Sequence, residues 1–557
     1  MVVRYSILIT LFVGAFGALI FNLYNLQLVE GGTYISRAQL QVSGGSWQIG
    51  KRGNILLTDK RGHELPVATI TNYNFVYAVP KDIDDVSEAA HQLASVLDLD
   101  VTDLQEKLSR EGTSFVLLQK KVSDKALRSL GDLNIPGIYI GEQPARFYPF
   151  QSLASHLIGF VGPSGDGLSE SGRYGLESYY DDILKGEIKT ASDDESKIIL
   201  PEGGDDLVLT IEPNIQKEAE RIISELTKKY EAIGGLLMVA NPQTGALLAL
   251  AAVPDFDPNS YGESSLETFL NPATQKIYEP GSIFKVLTMA AGIDSGKITP
   301  ETTYYDKGQV TINGRTISNW DFKEQGGYGT INMTKVIEKS INTGAIFAEQ
   351  ATGHKIFTEY MKKFGFDEKT GIDLPGELAG NITRLNPEKE PDVAFATAAY
   401  GQGVAVTPIE LLNSVSAIAN GGVLMRPYVN ADLKPEAIRR VISKETAQAV
   451  TDMMVHAVDV ARLPAVNGYS LAGKTGTAYI PDFNRGGYTD DVFNTYIGYG
   501  PTSNSKFIIL VRLEKAKGAP LAGLTVVPAF REMAQFLIHY LEIPPDRPQT
   551  VLKRNEE

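Results

Sequence analysis

At 557 residues, with 43% hydrophobic and 21% charged side chains, the chain can bury sizeable cores and is too apolar for a disordered protein. A formal net charge of -15, from 52 Lys+Arg against 67 Asp+Glu, excludes a dominant role in gripping phosphate backbones, so nucleic acid is not an expected partner. There is no cysteine, and the six histidines form no close pair, which removes thiolate chemistry, disulfides and the usual metal signatures. No metal and no cofactor is expected.

The amino-terminal stretch departs from this average. From Tyr5 to Val29 no residue is charged, and the run is long enough to cross a bilayer, which takes about 20 apolar residues. Arg4 and the amino terminus precede it, which predicts a cytoplasmic tail at 1–4, a membrane helix at 5–29 and an exported remainder in a plasma or inner membrane. Asn22 to Gln27 stand where a signal peptide would carry a small-x-small cleavage site, so a retained anchor is expected. A second apolar run, Ile233 to Val253, is interrupted by Asn241-Pro242-Gln243-Thr244-Gly245 and reads as two buried strands, Gly234 to Ala240 and Ala246 to Ala252. The expected topology is single-pass.

Residues 30–200 read as a non-catalytic module, with strand patterns at Asn54 to Leu57 and Ala68 to Ala78 and helical patterns at Val86 to Leu97 and Thr102 to Arg110. The acidic, glycine-bearing stretch Thr190 to Asp206 marks its end. Beyond it, Leu207 to Ile211 is strand-like and Pro213 to Tyr230 helical, followed by the hairpin. Helical patterns then cover Ser282 to Ile293, Met333 to Gln350, Pro408 to Ala419 and Lys444 to Val460. Strands return at Ser470 to Ile480, Phe493 to Gly500 and Phe507 to Leu513, and a helix closes at Val527 to Tyr540. Strands from both ends with helices between them predict an α+β domain over 201–546, a central antiparallel sheet covered by helices on both faces, with a polar tail at 547–557.

Chemistry concentrates after Pro280-Gly281. Ser282 and Lys285 are three apart and share a helix face, so the amine reaches the hydroxyl. Ile283, Phe284, Val286 and Leu287 imply a desolvated setting, which lowers the lysine pKa and favours its base form. A serine beside such a lysine is an activated nucleophile without histidine. The bland alternative is a lysine snorkelling at the edge of a core, and the pair alone is a weak signal. Ser340-Ile341-Asn342 and then Lys474-Thr475-Gly476-Thr477 follow in order, and the ordered triplet is strong. Ser340 can pass a proton to a leaving amine, and Asn342 can hold a substrate amide. Lys474, Thr475 and Thr477 offer a cation and hydroxyls to a terminal carboxylate, and the N–H groups of Ser282 and Thr477 can form an oxyanion hole.

A rival motif overlaps the last element. Gly468 to Thr475 fits the phosphate-loop expression, but no apolar strand precedes it, and Thr475, Gly476 and Thr477 favour a strand over the helix that motif needs. Asp255-Phe256-Asp257-Pro258-Asn259 is likewise rejected as a calcium loop, since Ser260 and Leu266 replace the glycine and the acidic ligand.

The whole chain resembles the class B penicillin-binding proteins, monofunctional peptidoglycan D,D-transpeptidases. The resemblance runs through the anchor, Lys51-Arg52-Gly53-Asn54-Ile55 with Asp59 and Gly62, Arg146-Phe147-Tyr148-Pro149, Gly175-Leu176-Glu177 and Asp255 to Asn259. It continues through Pro280-Gly281-Ser282 and Tyr400-Gly401-Gln402-Gly403 to the Lys474 strand. Lys60-Arg61 departs from the Arg-Asn of many members, and Tyr540 to Asp546 looks like the septal, cell-division branch. The resemblance implies a serine penicillin-recognising fold on an elongated pedestal or dimerisation-type domain. It makes Ser282 the acylated nucleophile and Lys285 its base, assigns Ser340 and Asn342 to the second motif, and gives Lys474, Thr475, Gly476 and Thr477 to the donor carboxylate. The implied reaction takes a D-Ala-D-Ala stem peptide as donor and a neighbouring stem amine as acceptor, with β-lactams as covalent mimics. The implied partners are a polytopic glycan polymerase and other division proteins. The competing readings are an elongation-type class B transpeptidase, a D,D-carboxypeptidase or β-lactamase-like hydrolase, and a non-enzymatic β-lactam sensor.

Overall fold

In a computed structural model, the described residues are 16 and 52–547, apart from 111, 114, 164–169, 186–202, 483–484 and 519–520. The expected tail and membrane span, residues 548–557 and most of the acidic stretch lie outside them. No helix among the described residues is long and apolar enough to cross a membrane. The chain divides into two compact units, a smaller one centred on Ala68–Pro149 and a larger one made of Ile55–Val67, Phe150–Leu184 and the chain from Asp206 on.

In the smaller unit, the strand Glu64–Ala78 pairs antiparallel with Val116–Gln119 and Ile138–Phe147. Three helices, Val86–Leu97, Val101–Leu108 and Asp124–Leu133, bury Leu93, Leu97, Leu104 and Leu130 against Val76, Ala78 and Leu118. The acidic side chains scattered here have a structural use: Asp85 and Asp100, like Ser123, accept backbone N–H groups at helix starts. Arg146 donates to the Gly53 carbonyl at 2.6 Å. A methyl on Gly53 would lie 1.9 Å from the Asp205 carbonyl oxygen, so two of the family-like segments and the end of the acidic stretch meet at one backbone crossing.

The larger unit is built from α1 (Pro213–Lys229), β1 (Gly234–Ala240), β2 (Leu247–Val253), α2 (Phe284–Asp294), α3 (Met333–Lys339) and α4 (Asn342–Thr352). It continues with α5 (Pro408–Ala419), α6 (Lys444–Ala461), β3 (Ala472–Pro481), β4 (Tyr488–Gly500), β5 (Phe507–Glu514) and α7 (Ala522–Tyr540). The five strands form one antiparallel sheet in the order β3-β4-β5-β1-β2, the expected joining of an early hairpin to late strands. Being buried on both faces, β1 and β5 are almost continuously apolar. Leu237, Val239, Ile509, Val511 and Leu513 pack with α1 and α7, and α5 and α6 also lie on the sheet. Glu212 caps α1 by accepting the Ile215 N–H at 2.7 Å, with Pro213 in the first turn.

Phe530 of α7 is fully buried, 4.6 Å from the Tyr496 ring, and sits so close to Gly498 that a methyl there would be 2.7 Å from its ring. Phe530→Ala is expected to cost about 3 to 5 kcal/mol, because the close-packed sheet cannot collapse into the space. Urea unfolding followed by fluorescence measures this, and a loss below about 1 kcal/mol would refute it.

Three features were not expected from the sequence. Ile55–Thr58 pairs in parallel with Leu207–Leu209, two segments of the larger unit about 150 residues apart in the chain. Lys60, the departure from the family pattern, donates to the Tyr540 carbonyl at 2.7 Å and to Glu542 at 2.9 Å. The helix expected over Met333 to Gln350 is broken: α3 ends at Lys339, Ser340 adopts φ 57°, and α4 starts at Asn342. At its carboxy-terminal end the unit clasps the approach to β3, since Asp546 accepts the Ser470 N–H at 2.8 Å and Tyr469 donates to the Ile543 carbonyl at 2.8 Å.

Candidate active site

Ser282 lies in a tight turn, Gly281–Ile283, that runs directly into α2. The turn is fixed by close backbone approach. Gly281 has φ 57°, and a methyl on it would sit 2.9 Å from the Thr477 carbonyl oxygen. A methyl on Gly401 would reach the Gly281 carbonyl oxygen at 2.2 Å, and one on Gly476 the Pro280 carbonyl oxygen at 2.8 Å. Only glycine allows three chain segments to meet there. Ser282 itself stays half-buried at the start of an otherwise buried helix.

One turn on, Lys285 is fully buried and donates to Ser340, at 2.5 Å to its carbonyl and 3.2 Å to its Oγ. From the other side Lys474 of β3 donates to the same Oγ at 2.9 Å, and to Thr475 at 3.0 Å (carbonyl) and 3.3 Å (Oγ1). The Ser340 hydroxyl therefore bridges two lysine nitrogens. The break between α3 and α4 is what presents it: a continuous helix would not turn this side chain out of the helical path.

Burial holds Lys285 well below the usual lysine range, and the neighbouring Lys474 charge pushes it further down, while Asp321 opposes the shift. Burial likewise brings Lys474 down to about 7. The depressed pKa favours the uncharged, base form of Lys285. Asn342 donates to the Ser318 carbonyl at 2.9 Å and is half-buried. Thr475 and Thr477 are half-exposed on β3, and Thr477 Oγ1 accepts the Ala522 N–H at 3.5 Å. The structure joins Lys285, Ser340, Lys474 and Thr475 by direct hydrogen bonds and sets Gly476 and the Thr477 backbone against the turn that carries Ser282. Asn342 sits beside them on its own helix start. Among the described residues no cluster of three or more His, Asp or Glu side chains could hold a metal ion.

Sequence reasoning passed over two groups that shape this site. Glu279, three residues before Ser282, is buried and accepts the Gly403 N–H at 2.9 Å and the Tyr488 hydroxyl at 3.0 Å. It links the loop after Tyr400 to the first residue of β4, and burial raises its pKa. The second group is Ser318-Asn319-Trp320-Asp321, which runs beside the break. Trp320 donates to the Lys339 carbonyl at 3.1 Å, and Asp321, buried, accepts the Tyr328 hydroxyl. Asn319-Trp320-Asp321 was the visible signal, but no spacing rule connects it to Ser340.

Known proteins are similar to this chain over most of its length. Residues 235–535 match the penicillin-binding protein transpeptidase domain and residues 48–197 the penicillin-binding protein dimerisation domain. The chain is 32% identical to stage V sporulation protein D of Bacillus subtilis, over 93% of this chain and 83% of that protein. It is 27% identical to a peptidoglycan D,D-transpeptidase FtsI homolog of Mesostigma viride, over 91% and 93%. A crystal structure of a peptidoglycan synthetase from Bifidobacterium adolescentis superposes with a TM-score of 0.68 at 26% identity, covering 90% of this chain and 97% of that one. The buried lysine pair on one serine hydroxyl, the turn that carries Ser282 and both domain matches place the chain in the class B penicillin-binding proteins, serine transpeptidases with an amino-terminal dimerisation domain.

Proposed function

We propose that the protein is a peptidoglycan D,D-transpeptidase of septal wall synthesis that works through an acyl-enzyme on Ser282. The observation that carries this reading is the Ser340 hydroxyl held between Lys285 and Lys474 beside the Ser282 turn. Neutral Lys285 takes the Ser282 proton as Oγ attacks the penultimate D-Ala carbonyl of the donor stem. The N–H groups of Ser282 and Thr477 hold the developing oxyanion. Ser340 passes a proton to the departing nitrogen, the C–N bond breaks and D-Ala leaves. A neighbouring stem amine then attacks the ester, forms the new amide and returns the proton to Ser282. Asn342 orients the donor amide, while Lys474, Thr475, Gly476 and Thr477 receive its terminal carboxylate. A β-lactam presents the same carbonyl and carboxylate and acylates the same serine.

The domain scheme fits this role: a cytoplasmic tail at 1–4, a membrane helix at 5–29, a pedestal at 30–200, the catalytic domain at 201–546 and a polar tail at 547–557. The apolar run Tyr5 to Val29 behind Arg4 supports an exported catalytic domain. The septal assignment and its partners, a polytopic glycan polymerase and other division proteins, rest on the carboxy-terminal Tyr540 to Asp546 segment. The relative named for sporulation favours one second reading, in which the same cross-linking serves a sporulation wall.

Full-length protein supplied with a pentapeptide donor and an acceptor amine is expected to form cross-linked dimer, detected by mass spectrometry. Hydrolysed tetrapeptide alone would assign it to the carboxypeptidases instead.

A further inference from the structure

Ser340 is held in a conformation it does not favour. Its φ of 57° is left-handed, which costs a non-glycine residue roughly 1 kcal/mol or more. The end of α3 closes the turn with its own backbone bonds, the Ser340 N–H to Ile337 at 3.3 Å and the Ile341 N–H to Val336 at 3.0 Å, and contacts from outside α3 and α4 add to them in setting where the hydroxyl faces. The candidate source of these contacts lies in residues 303–332, where Thr303–Asp306 pairs with Gly329–Asn332 and Gln309–Ile312 with Arg315–Ser318.

Asp306 ends the first of these strands and is 1% exposed. Its carboxylate accepts the N–H groups of Gly308 and Tyr328, each at 2.9 Å, the Asn319 amide at 3.1 and 3.2 Å, and the Thr343 hydroxyl at 2.6 Å. Asn319 in turn accepts the Thr343 N–H at 3.1 Å, and Tyr304 shares a hydrogen bond with the Thr343 hydroxyl at 3.1 Å. Thr343 immediately follows Asn342, whose own amide is tied to Ser318 at 2.9 Å. On the other side of Ser340, Trp320 fixes Lys339. The chain is therefore pinned both before and after the serine, and the Thr343 bonds after it lead, directly and through Asn319, to one buried carboxylate.

We propose that Asp306, acting through Asn319 and Thr343, is a positioning residue that sets the Ser340 hydroxyl between Lys285 and Lys474. The proposal rests on the acyl-transfer reading above. A buried carboxylate fully supplied with donors is stiff, because moving any one donor strands a polar group. Displacing a proton-transfer group by about 1 Å costs on the order of 100-fold in rate. A purely structural network would instead show its loss in unfolding and leave the chemistry of the folded fraction unchanged.

The test uses full-length protein and a fluorescent penicillin, with acylation rate and non-covalent affinity measured separately, alongside the melting temperature. Thr343→Val removes the hydroxyl link and keeps the shape. It is expected to slow acylation by about 10- to 100-fold with little change in affinity, and Thr343→Ser is expected to restore the rate. An unchanged rate in Thr343→Val, or a loss that Thr343→Ser fails to recover, overturns the positioning role. Should Thr343→Val lose its folding transition, Asn319→Ser cuts the same link from the other side and is judged by its acylation rate: slowed supports the role, unchanged overturns it. Absence of label on the wild type would overturn the acyl-transfer reading and this one together, whereas a labelled wild type with an unaffected Thr343→Val overturns this one alone.

Discussion

Fluorescent penicillin is expected to label the wild-type chain covalently, and Ser282→Ala to take up no label under the same conditions. This is the largest expected effect. The turn that carries Ser282 is half-open, whereas the Ser340 hydroxyl accepts hydrogen bonds from both lysines and the Thr475 hydroxyl accepts one from Lys474. With the nucleophile removed, what remains is binding, and the loss is on the order of 10⁴-fold or more. The fold should survive, because the turn is held by Gly281, Gly401 and Gly476 and not by the serine side chain. Persistent labelling of Ser282→Ala would mean that another residue is acylated, and peptide mapping would identify it.

Lys285→Ala is expected to slow acylation by about 10³-fold while leaving a folded protein. The lysine is fully buried, so its removal leaves a cavity but also relieves the cost of holding a nitrogen away from water, and the two effects oppose one another. The pH dependence separates the lysines. Acylation needs neutral Lys285, so the rate falls as the pH drops through its depressed pKa. Lys474 must be charged to receive the donor carboxylate, and in the free enzyme it loses that charge as the pH rises through about 7. The second-order rate constant should therefore fall on its alkaline side near 7, as Lys474 loses its charge, and on its acid side as Lys285 is protonated. In the saturated complex the alkaline limb moves upward, because a bound carboxylate stabilises the ammonium form. Equal acylation by Lys285→Ala and wild type across pH would remove Lys285 from the role of base.

Much of the catalytic framework is readable in the chain itself. The strands of the sheet announce themselves as apolar runs bounded by turns, and Asn241-Pro242-Gln243-Thr244-Gly245 separates a hairpin from a membrane span. Ser282 and Lys285 are local partners, and their spacing on one helix start is enough to suggest them. Ser340 and Lys474 come from distant segments, and their order along the chain links them to the first pair where spacing cannot. The break at Ser340 was hidden, because Lys339-Ser340-Ile341-Asn342 holds neither glycine nor proline and the apolar period runs through it. Asp306 was hidden for a different reason. Its four-residue strand is too short to show a period, and its bonds to Asn319, Tyr328 and Thr343 are tertiary. The parallel pairing of Ile55–Thr58 with Leu207–Leu209 joins segments far apart in the chain and leaves no local mark.

The glycine crossing at the Ser282 turn constrains how this protein can change under antibiotic selection. A single methyl at position 281, 401 or 476 would collide with main-chain oxygen, so a variant there would separate the Ser282 and Thr477 amides and disable wall synthesis together with drug capture. Escape by substitution is pushed outward to side chains with room to vary. Tyr479, 50% exposed on the strand that carries Lys474, is such a side chain. Changes there can alter the fit of a bulky drug substituent while the backbone that serves the natural donor stays in place.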